Sequence, residues 1–180
     1  MVDKAKYKVI GTRPIRHDGA DKVTGRAIYT DDFQLPGMLH GQVVRCPYPH
    51  ARIKSIDISQ AEQQPGVFAV VTSADFPDLT DKIANLGEGA VNLVHLASNV
   101  LAQKKALYKG HAVAAVAAST RHLAEAAAAL IKVEYEQLPS VTSIQDAMRE
   151  DAPLLHDNLV TDSPLGENSD KPSNIATHLH

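Results

Sequence analysis

The residues best suited to chemistry in this chain are its nine histidines and its single cysteine. Imidazoles ligate metals and move protons near neutral pH, and a thiolate is a nucleophile when a base lies beside it. His40 and His50 lie on separate predicted segments, and no histidine pair has the spacing of two ligands on one helix face. A metal site needs convergent ligands, so we assign no metal-binding residue. His178 and His180 lie in a predicted tail.

Cys46 is a better candidate for a structural thiol than for a nucleophile. His50 is a possible base nearby in the sequence, but Pro47 and Pro49 stand between the two. A lone cysteine also excludes an internal disulfide and a multi-thiolate metal site within this chain. We therefore expect a buried or half-buried side chain at Cys46.

Three further patterns have ordinary structural explanations. Gly87-Glu88-Gly89 contains two glycines of a dinucleotide fingerprint, without the third glycine, the preceding strand or the following helix. Glu134 and Glu136 alternate with apolar residues, which places both carboxylates on the wet face of a strand rather than in a shared cleft. Lys104-Lys105 is interpreted as a solvated pair. We accordingly assign no catalytic residue and no cofactor-binding residue.

The composition limits the class of protein. The 180 residues suffice for one core, and 44% hydrophobic content with 4% aromatics predicts a core of Ala, Val, Ile and Leu. The net charge of −3 argues against a nucleic-acid partner, because phosphate binding needs a clustered basic surface. No apolar run is long enough to span a membrane, and the first residues lack the apolar core of a secretory signal. The cytoplasm is the expected location.

The stretch around which the elements are organised is 109–139, which is typical of a strand, a helix and a second strand. Residues 111–118 form a short apolar run whose valines favour an extended chain. Ser119 or Thr120 can cap the helix, and its predicted apolar stripe comprises Leu123, Ala127 and Leu130. The period then changes to two, with an apolar face of Ile131, Val133 and Tyr135.

A second strand–helix–strand unit is predicted earlier in the chain. It comprises a strand over 51–58, a short helix opened by a capping box from Ser59 to Glu62, and a buried strand over 67–71. Before this unit we predict a strand over 27–30, a type II turn at Leu35-Pro36-Gly37, and a strand over 38–45 with a bulge or close backbone approach at Gly41. After it we predict a partial strand over 91–96 and a helix over 143–148. A connection of this length satisfies a parallel or an antiparallel arrangement, so spacing alone leaves the sheet type open.

Taken in order, these segments resemble the N-terminal α/β-hammerhead domain of the large, molybdenum-binding subunits of the xanthine dehydrogenase / aldehyde oxidase family. The resemblance covers residues 16–156 and depends on an ordered set of short motifs. These are Asp18-Gly19, Lys22-Val23-Thr24-Gly25, Ala27 and Tyr29 with Asp31-Asp32, Leu35-Pro36-Gly37-Met38-Leu39-His40, Arg45 with Pro47, His50-Ala51-Arg52-Ile53, Pro65-Gly66-Val67, Tyr108-Lys109-Gly110-His111, Val133-Glu134-Tyr135-Glu136 and Leu138-Pro139. Cys46 stands where the family usually has serine, and His111 where many members have glutamine.

The resemblance implies an α+β fold, the α/β-hammerhead, with a bent mixed sheet and two main helices packed on it. It implies an N-terminal arm over 1–15, the hammerhead domain over 16–156, and over 157–180 a linker toward a molybdopterin-binding domain. From the residues alone, the two strand–helix–strand units favour a parallel α/β protein.

The family's chemistry is carried by a molybdopterin cofactor and a glutamate base, which hydroxylate a carbon next to nitrogen or a carbonyl. One branch, the 4-hydroxybenzoyl-CoA reductases, removes a phenolic hydroxyl instead. The resemblance implies that the cofactor loops and the glutamate lie downstream of this domain, so we carry over no site residue. The implied partners are downstream molybdopterin-binding domains and Fe-S and FAD subunits, and we expect no turnover from this chain alone.

Two alternatives belong to other classes. A free-standing interaction module that reuses the hammerhead domain predicts a stop codon after His180. A nucleotide-binding α/β domain needs a glycine-rich strand-to-helix turn before Ser119, and Ala117-Ala118 does not provide one.

Overall fold

The computed structural model describes residues 8–77, 79, 82–85, 87, 90–163 and 170–178. The chain forms two compact units, Met1–Met38 and Leu39–His180. Among the described residues of the first unit none is buried. It contains helix α1, Gly19–Val23, and a 3₁₀ turn, Thr30–Asp32. The strand predicted over 27–30 is wrong, because the Asp32 carboxylate accepts a hydrogen bond from the Tyr29 N–H at 2.9 Å and closes the chain into that turn.

The second unit consists of two antiparallel sheets and a hairpin. Its described strands are β1 His40–Arg45, β2 Ala51–Asp57, β3 Val67–Thr72, β4 Ile83–Asn85, β5 Ala90–Asn92, β6 Lys105–Ala106, β7 Ala112–Ala118 and β8 Lys132–Gln137. Its described helices are α2 Ser59–Glu62, α3 Leu93–Val100, α4 Arg121–Leu130 and α5 Ile144–Ala147. The first sheet has the order β1-β7-β3, the second the order β6-β2-β8, and β4 pairs with β5.

Both predicted strand–helix–strand units exist, but each one joins the two sheets. Strand β2 lies in the second sheet and β3, after α2, in the first; β7 lies in the first sheet and β8, after α4, in the second. The named strands pair antiparallel throughout the described part of the chain. The parallel sheet favoured by the residues alone is therefore wrong, and the α+β class is confirmed.

The core has two parts on either side of β7. The first lies under α4 and is built from small and branched residues: Ala61, Val70, Ala114, Val116, Ala127 and Ile131. The second lies between β7 and the second sheet and contains Cys46, Ala51, Ala102, Ala106 and Val113. Alanines on the inner face of α4 allow its backbone to lie close to the sheet, so the core is closely packed although it contains few aromatic side chains.

Helix α4 begins as its sequence predicts. The Thr120 hydroxyl accepts a hydrogen bond from the Leu123 N–H at 3.2 Å. Of the predicted apolar stripe, Ala127 is fully buried and Leu130 packs half-buried against the same core cluster. Leu123 is half-buried, and Ala124, which the stripe did not include, is fully buried. The alternation after Ile131 is confirmed by the burial pattern of β8.

Several local predictions have mixed outcomes. The type II turn is confirmed, with Gly37 at φ +76° and a 3.0 Å bond from the Met38 N–H to the Leu35 oxygen. The bulge in β1 lies between Val44 and Arg45 rather than at Gly41, which pairs regularly with Ala117.

The predicted capping box at Ser59 is wrong. The Asp57 carboxylate accepts bonds from the Ser59 N–H at 3.0 Å and from its hydroxyl at 2.6 Å, so Asp57 fixes the entry to α2. The strand predicted over 91–96 ends at Asn92, whose side chain accepts a bond from the Val94 N–H and caps α3. The helix over 143–148 is confirmed as α5, which Ser143 caps.

The segment after α5 is attached to the second unit at defined points. The Asn174 side chain donates to the Ala147 and Pro153 oxygens and accepts from the Leu155 N–H. Isolated bridges pair Val160 with Pro172 and Asp162 with Thr177. The linker over 157–180 stays a prediction. No helix among the described residues has the length and apolar character that a membrane crossing requires.

Candidate functional site

Several buried polar side chains of the second unit gather where the turn 46–50 meets the segment 107–111. The Cys46 N–H donates to the His111 oxygen at 2.9 Å, and the Gly110 N–H donates to the Cys46 oxygen at 2.8 Å. The Arg45 guanidinium donates to the Gly110 oxygen at 2.9 Å. Gly110 has φ +89°, a conformation that favours glycine, and it turns the chain into β7. We call residues 46–50 and 107–111 together the histidine junction.

His111 is the most completely enclosed side chain of the histidine junction, with 0% exposure. Its Nδ1 accepts a hydrogen bond from the Leu107 N–H at 3.1 Å, and its Nε2 lies 2.8 Å from the Ser98 oxygen. A backbone N–H on one side and a carbonyl on the other require the neutral tautomer with the proton on Nε2. Burial lowers the pKa of His111 from its ordinary value, which keeps the ring neutral. The Tyr108 ring stacks on it at 4.3 Å.

Cys46 has 1% exposure, which confirms the prediction of a buried thiol. Its Sγ donates to the Tyr48 oxygen at 3.6 Å, and the Tyr48 and Tyr135 rings meet edge to face at 5.6 Å. Burial is the main cause that raises the pKa of Tyr135, and the neighbouring Cys46 thiol and Tyr48 raise it further. The phenol therefore stays protonated and acts as a hydrogen-bonding group rather than a base.

His50 has one satisfied ring nitrogen and one without a partner. Its Nδ1 donates to the Pro139 oxygen at 2.7 Å, and its backbone oxygen accepts from the Leu138 N–H at 2.9 Å. The Nε2 atom is buried and has no hydrogen-bond partner among the described residues. His50 thus fastens the end of β8 to the start of β2. Its hydrogen bond leads to Pro139 while that of Cys46 leads to Tyr48, so the two do not form a nucleophile–base pair.

The prediction that Lys105 is solvated is wrong. Its side chain is only 11% exposed, and its ammonium lies 2.8 Å from the Asp157 carboxylate and 3.4 Å from the Leu154 oxygen. This ammonium holds the pKa of Asp157 below its ordinary value. Close to Lys105, the His95 and His156 rings meet edge to face at 5.0 Å. Burial is the main cause that lowers the pKa of His156, and the neighbouring His95 lowers it further.

The remaining sequence candidates are dispersed. His40 is half-buried on β1, and Glu134 and Glu136 are exposed on β8 as predicted. Gly87 lies in a turn where its N–H donates to the Asn85 side chain at 3.0 Å; Glu88 and Gly89 lie outside the described residues, as does His180. Over the ranges that the structure describes, no three histidine, cysteine or acidic side chains converge on a possible metal position.

Two surface concavities lie elsewhere on the second unit. One, of about 240 Å³, is lined by apolar side chains of α3 and the segment before β4: Phe76, Pro77, Leu79, Leu93, Leu96, Ala97 and Val100. The other, of about 270 Å³, lies beside α5 and includes Asp146, Arg149 and Asp151, of which Arg149 and Asp151 pair with each other at 2.9 Å. Neither concavity contains His50, Cys46 or His111, and both histidines bond to backbone groups of other segments of the unit.

These features define a class: an α+β domain of two antiparallel sheets joined by crossover helices and fastened by buried histidines. The family model described as "Aldehyde oxidase and xanthine dehydrogenase, a/b hammerhead domain" matches residues 24–139. The chain belongs to this family, and the resemblance drawn from its short motifs is confirmed.

Curated relatives are much longer than this chain. A probable xanthine dehydrogenase subunit of Bacillus subtilis is 42% identical over 144 residues, which are 80% of this chain and 18% of the relative. The carbon monoxide dehydrogenase large chain of Afipia carboxidovorans is 40% identical over 154 residues, 86% of this chain and 18% of the relative. The chain therefore corresponds to about a fifth of the length of these relatives.

Solved structures give the same result. Quinoline 2-oxidoreductase from Pseudomonas putida 86 has a TM-score of 0.69 and 39% identity over 83% of this chain and 19% of the other. Carbon monoxide dehydrogenase from Oligotropha carboxidovorans has a TM-score of 0.66 and 41% identity over 80% of this chain and 17% of the other. The hammerhead fold predicted from the motifs is confirmed.

Proposed function

We propose that this chain is a structural domain of the large subunit of a molybdenum-dependent oxidoreductase and that it has no turnover in isolation. One observation carries the proposal: at least 80% of the chain matches relatives named as dehydrogenases, of which it covers only 18%. A domain that accounts for so small a share of a large subunit requires the rest of that subunit for the reaction.

We assign no part of the molybdenum cofactor site to this chain. The described residues contain no converging set of metal-ligating side chains, and the buried imidazole of His111 has both nitrogens engaged with backbone groups. The cofactor would be held by the other domains of the large subunit, and no step of the reaction is assigned to this chain. Its role is to provide a rigid, hydrogen-bonded body against which those domains pack.

The partners of the subunit follow from the same proposal. Separate subunits or domains carrying Fe-S clusters and FAD would take electrons from the molybdenum centre, and the assembly would work in the cytoplasm. The relatives are named for substrates as different as xanthine, carbon monoxide and quinoline. Since one hammerhead domain accompanies all of them, we place substrate selection in the rest of the subunit.

The proposal is tested by purifying the 180-residue chain and measuring its molybdenum content and its oxidation of aldehydes and purines. We expect a folded protein without bound molybdenum and without turnover. Stoichiometric molybdenum together with oxidation of either substrate class, in the absence of added subunits, would refute it.

A further inference from the structure

The three-stranded sheet β1-β7-β3 has one face covered by helices and one face that is open. Two pairing rows point to the covered side: Gln42 with Val116 and Val70, and Val44 with Ala114 and Thr72. Their members Val70, Val116 and Ala114 belong to the core under α4. Because successive side chains alternate between the faces of a sheet, the rows between these two point the other way.

The open face has two rows of apolar residues, and beyond them on β1 lies the exposed Arg45. Its two rows are Val43 with Ala115 and Val71, and Gly41 with Ala117 and Ala69. Gly41, Val43 and Ala69 are exposed, and Val71, Ala115 and Ala117 are half-buried. At the next position along β7, Val113 is fully enclosed by the second core cluster. The face is therefore covered at one end and uncovered, in the described part of the chain, at the other.

An antiparallel sheet with one wet face normally carries polar residues on it. The two rows carry none, and the charged residue that follows them on β1, Arg45, donates to the Gly110 oxygen. Beside the rows Phe68, at the irregularity in β3, is 67% exposed. Strand β3 pairs only with β7 among the described strands, and its sequence Val-Phe-Ala-Val-Val-Thr has none of the charges or prolines that protect an edge. An apolar face and an unprotected edge on the same strand indicate a surface that is buried in the working protein.

The size of the face restricts its occupant. Two rows across three strands span about 14 by 14 Å, on the order of 200 Å². A stable complex between separate proteins buries about 800 Å² on each partner. A second copy of this chain would gain too little from this face alone. A segment of the same polypeptide needs far less area, because its effective concentration is in the millimolar range.

We propose that the open face of β1-β7-β3, with the β3 edge, is the docking surface for the remainder of the same polypeptide in the large subunit. The inference depends on the proposed function, since about four-fifths of the length of the relatives lies outside the part that this chain matches. The occupant presents apolar side chains to Val43, Val71 and Phe68, and the small residues Gly41 and Ala117 allow its backbone to approach the sheet.

The test measures the rate of maleimide labelling in the full-length large subunit and in the 180-residue chain. Two variants place a thiol on the open face, Val43→Cys and Ala69→Cys, and a control, Glu125→Cys, places one on the solvent side of α4. The wild type supplies the background, because Cys46 is buried. In the full-length subunit we expect both open-face thiols to react about a hundredfold more slowly than in the short chain, since a covered thiol reacts only during local opening. The control is expected to react equally fast in both.

Each alternative outcome has a distinct meaning. A molybdenum-loaded subunit whose open-face thiols react as fast as the control overturns the docking surface and leaves the proposed function intact. Equal protection of the control also overturns it, because the effect is then not specific to this face. Protection in the short chain that rises with its concentration identifies a second copy as the occupant and overturns the proposal. If no longer polypeptide carries this domain, the proposed function and the inference both fail.

Discussion

The Nε2–H of His111 donates a 2.8 Å hydrogen bond to the backbone oxygen of Ser98, which lies in the last turns of α3. The other ring nitrogen accepts from the Leu107 N–H. One enclosed imidazole therefore joins the end of α3, the approach to β7 and the turn of the histidine junction. Because both partners are backbone groups, the ring fixes the path of the chain without regard to the side chains at positions 98 and 107.

We predict that His111→Ala destabilises the domain by about 3 kcal/mol, because it leaves a buried N–H and a buried carbonyl unpaired and opens a cavity. His111→Gln should lose less than half of that amount, since a glutamine amide can accept from Leu107 and donate to Ser98. Urea denaturation measures both values. Equal losses for the two variants would show that the two hydrogen bonds are not what stabilises this site.

Because His111 is buried, we predict that the stability of the domain depends on pH. Burial lowers the pKa of His111, so below about pH 6.5 the unfolded chain binds a proton that the folded chain refuses. This contribution to stability is fully present above that pH and is lost as the pH falls. The pKa of His156 is also lowered and acts in the same direction. Thermal unfolding between about pH 7 and 5 should show a falling midpoint, with a smaller fall for His111→Gln and the smallest for the double variant with His156→Gln. A variant profile as steep as that of the wild type would contradict this.

The hydrogen bond from His50 to the Pro139 oxygen can be tested with two substitutions, one that keeps a donor for that oxygen and one that removes it. His50→Asn keeps a donor for the Pro139 oxygen, and its amide oxygen replaces the unpartnered Nε2 as a buried acceptor, so its free energy of unfolding should lie within about 1 kcal/mol of the wild type. His50→Ala removes the donor as well and should lose about 2 kcal/mol. If His50→Asn proves as unstable as His50→Ala, the hydrogen bond to the Pro139 oxygen is not what stabilises this site.

Adjacent hydroxyls before α4 give a matched pair. Thr120→Ala should destabilise the domain by about 1 kcal/mol, because the Leu123 N–H loses its acceptor. Ser119→Ala should change stability by less than half as much, since Thr120 is the residue that caps the helix. Chemical denaturation of the two variants side by side measures the difference, and the reverse order of effects would show that the cap is assigned to the wrong residue.

Local periodicity allowed much of the fold to be predicted. The strand, helix and strand over 109–139 were predictable because each has a signal within its own residues: valines, a capping Thr120 and an alternation from Ile131. Helix α3 carried a similar signal, with Asn92 as cap and apolar residues at Leu93, Leu96 and Val100. It was missed because the short apolar run after Val91 fits a strand equally well.

The distribution of strands between the two sheets had no such local signal. Strand β7 pairs with β1 and β3, which precede it by tens of residues, and β8 pairs with β2. The length of a crossover is the same whether its helix returns to the first sheet or leads to the second. Only the resemblance to a family pointed away from a parallel sheet.

The buried groups were hidden for a related reason. Sequence reasoning treated His111 as a departure from a family pattern and Lys105 as solvated. Their partners are the Ser98 and Leu107 backbone and the distant Asp157. Backbone partners leave no trace in the residue types, and a carboxylate fifty-two positions away cannot be matched to a lysine by spacing.

The central claim, that this chain is one domain of a larger molybdenum subunit, is tested most directly by its native size. An antibody raised against the second unit can be used to isolate the protein from the cells that make it, and its chain length and molybdenum content can be measured together. We predict a polypeptide several times longer than 180 residues that carries molybdenum. A native chain of 180 residues without molybdenum would contradict the account and favour a free-standing interaction module.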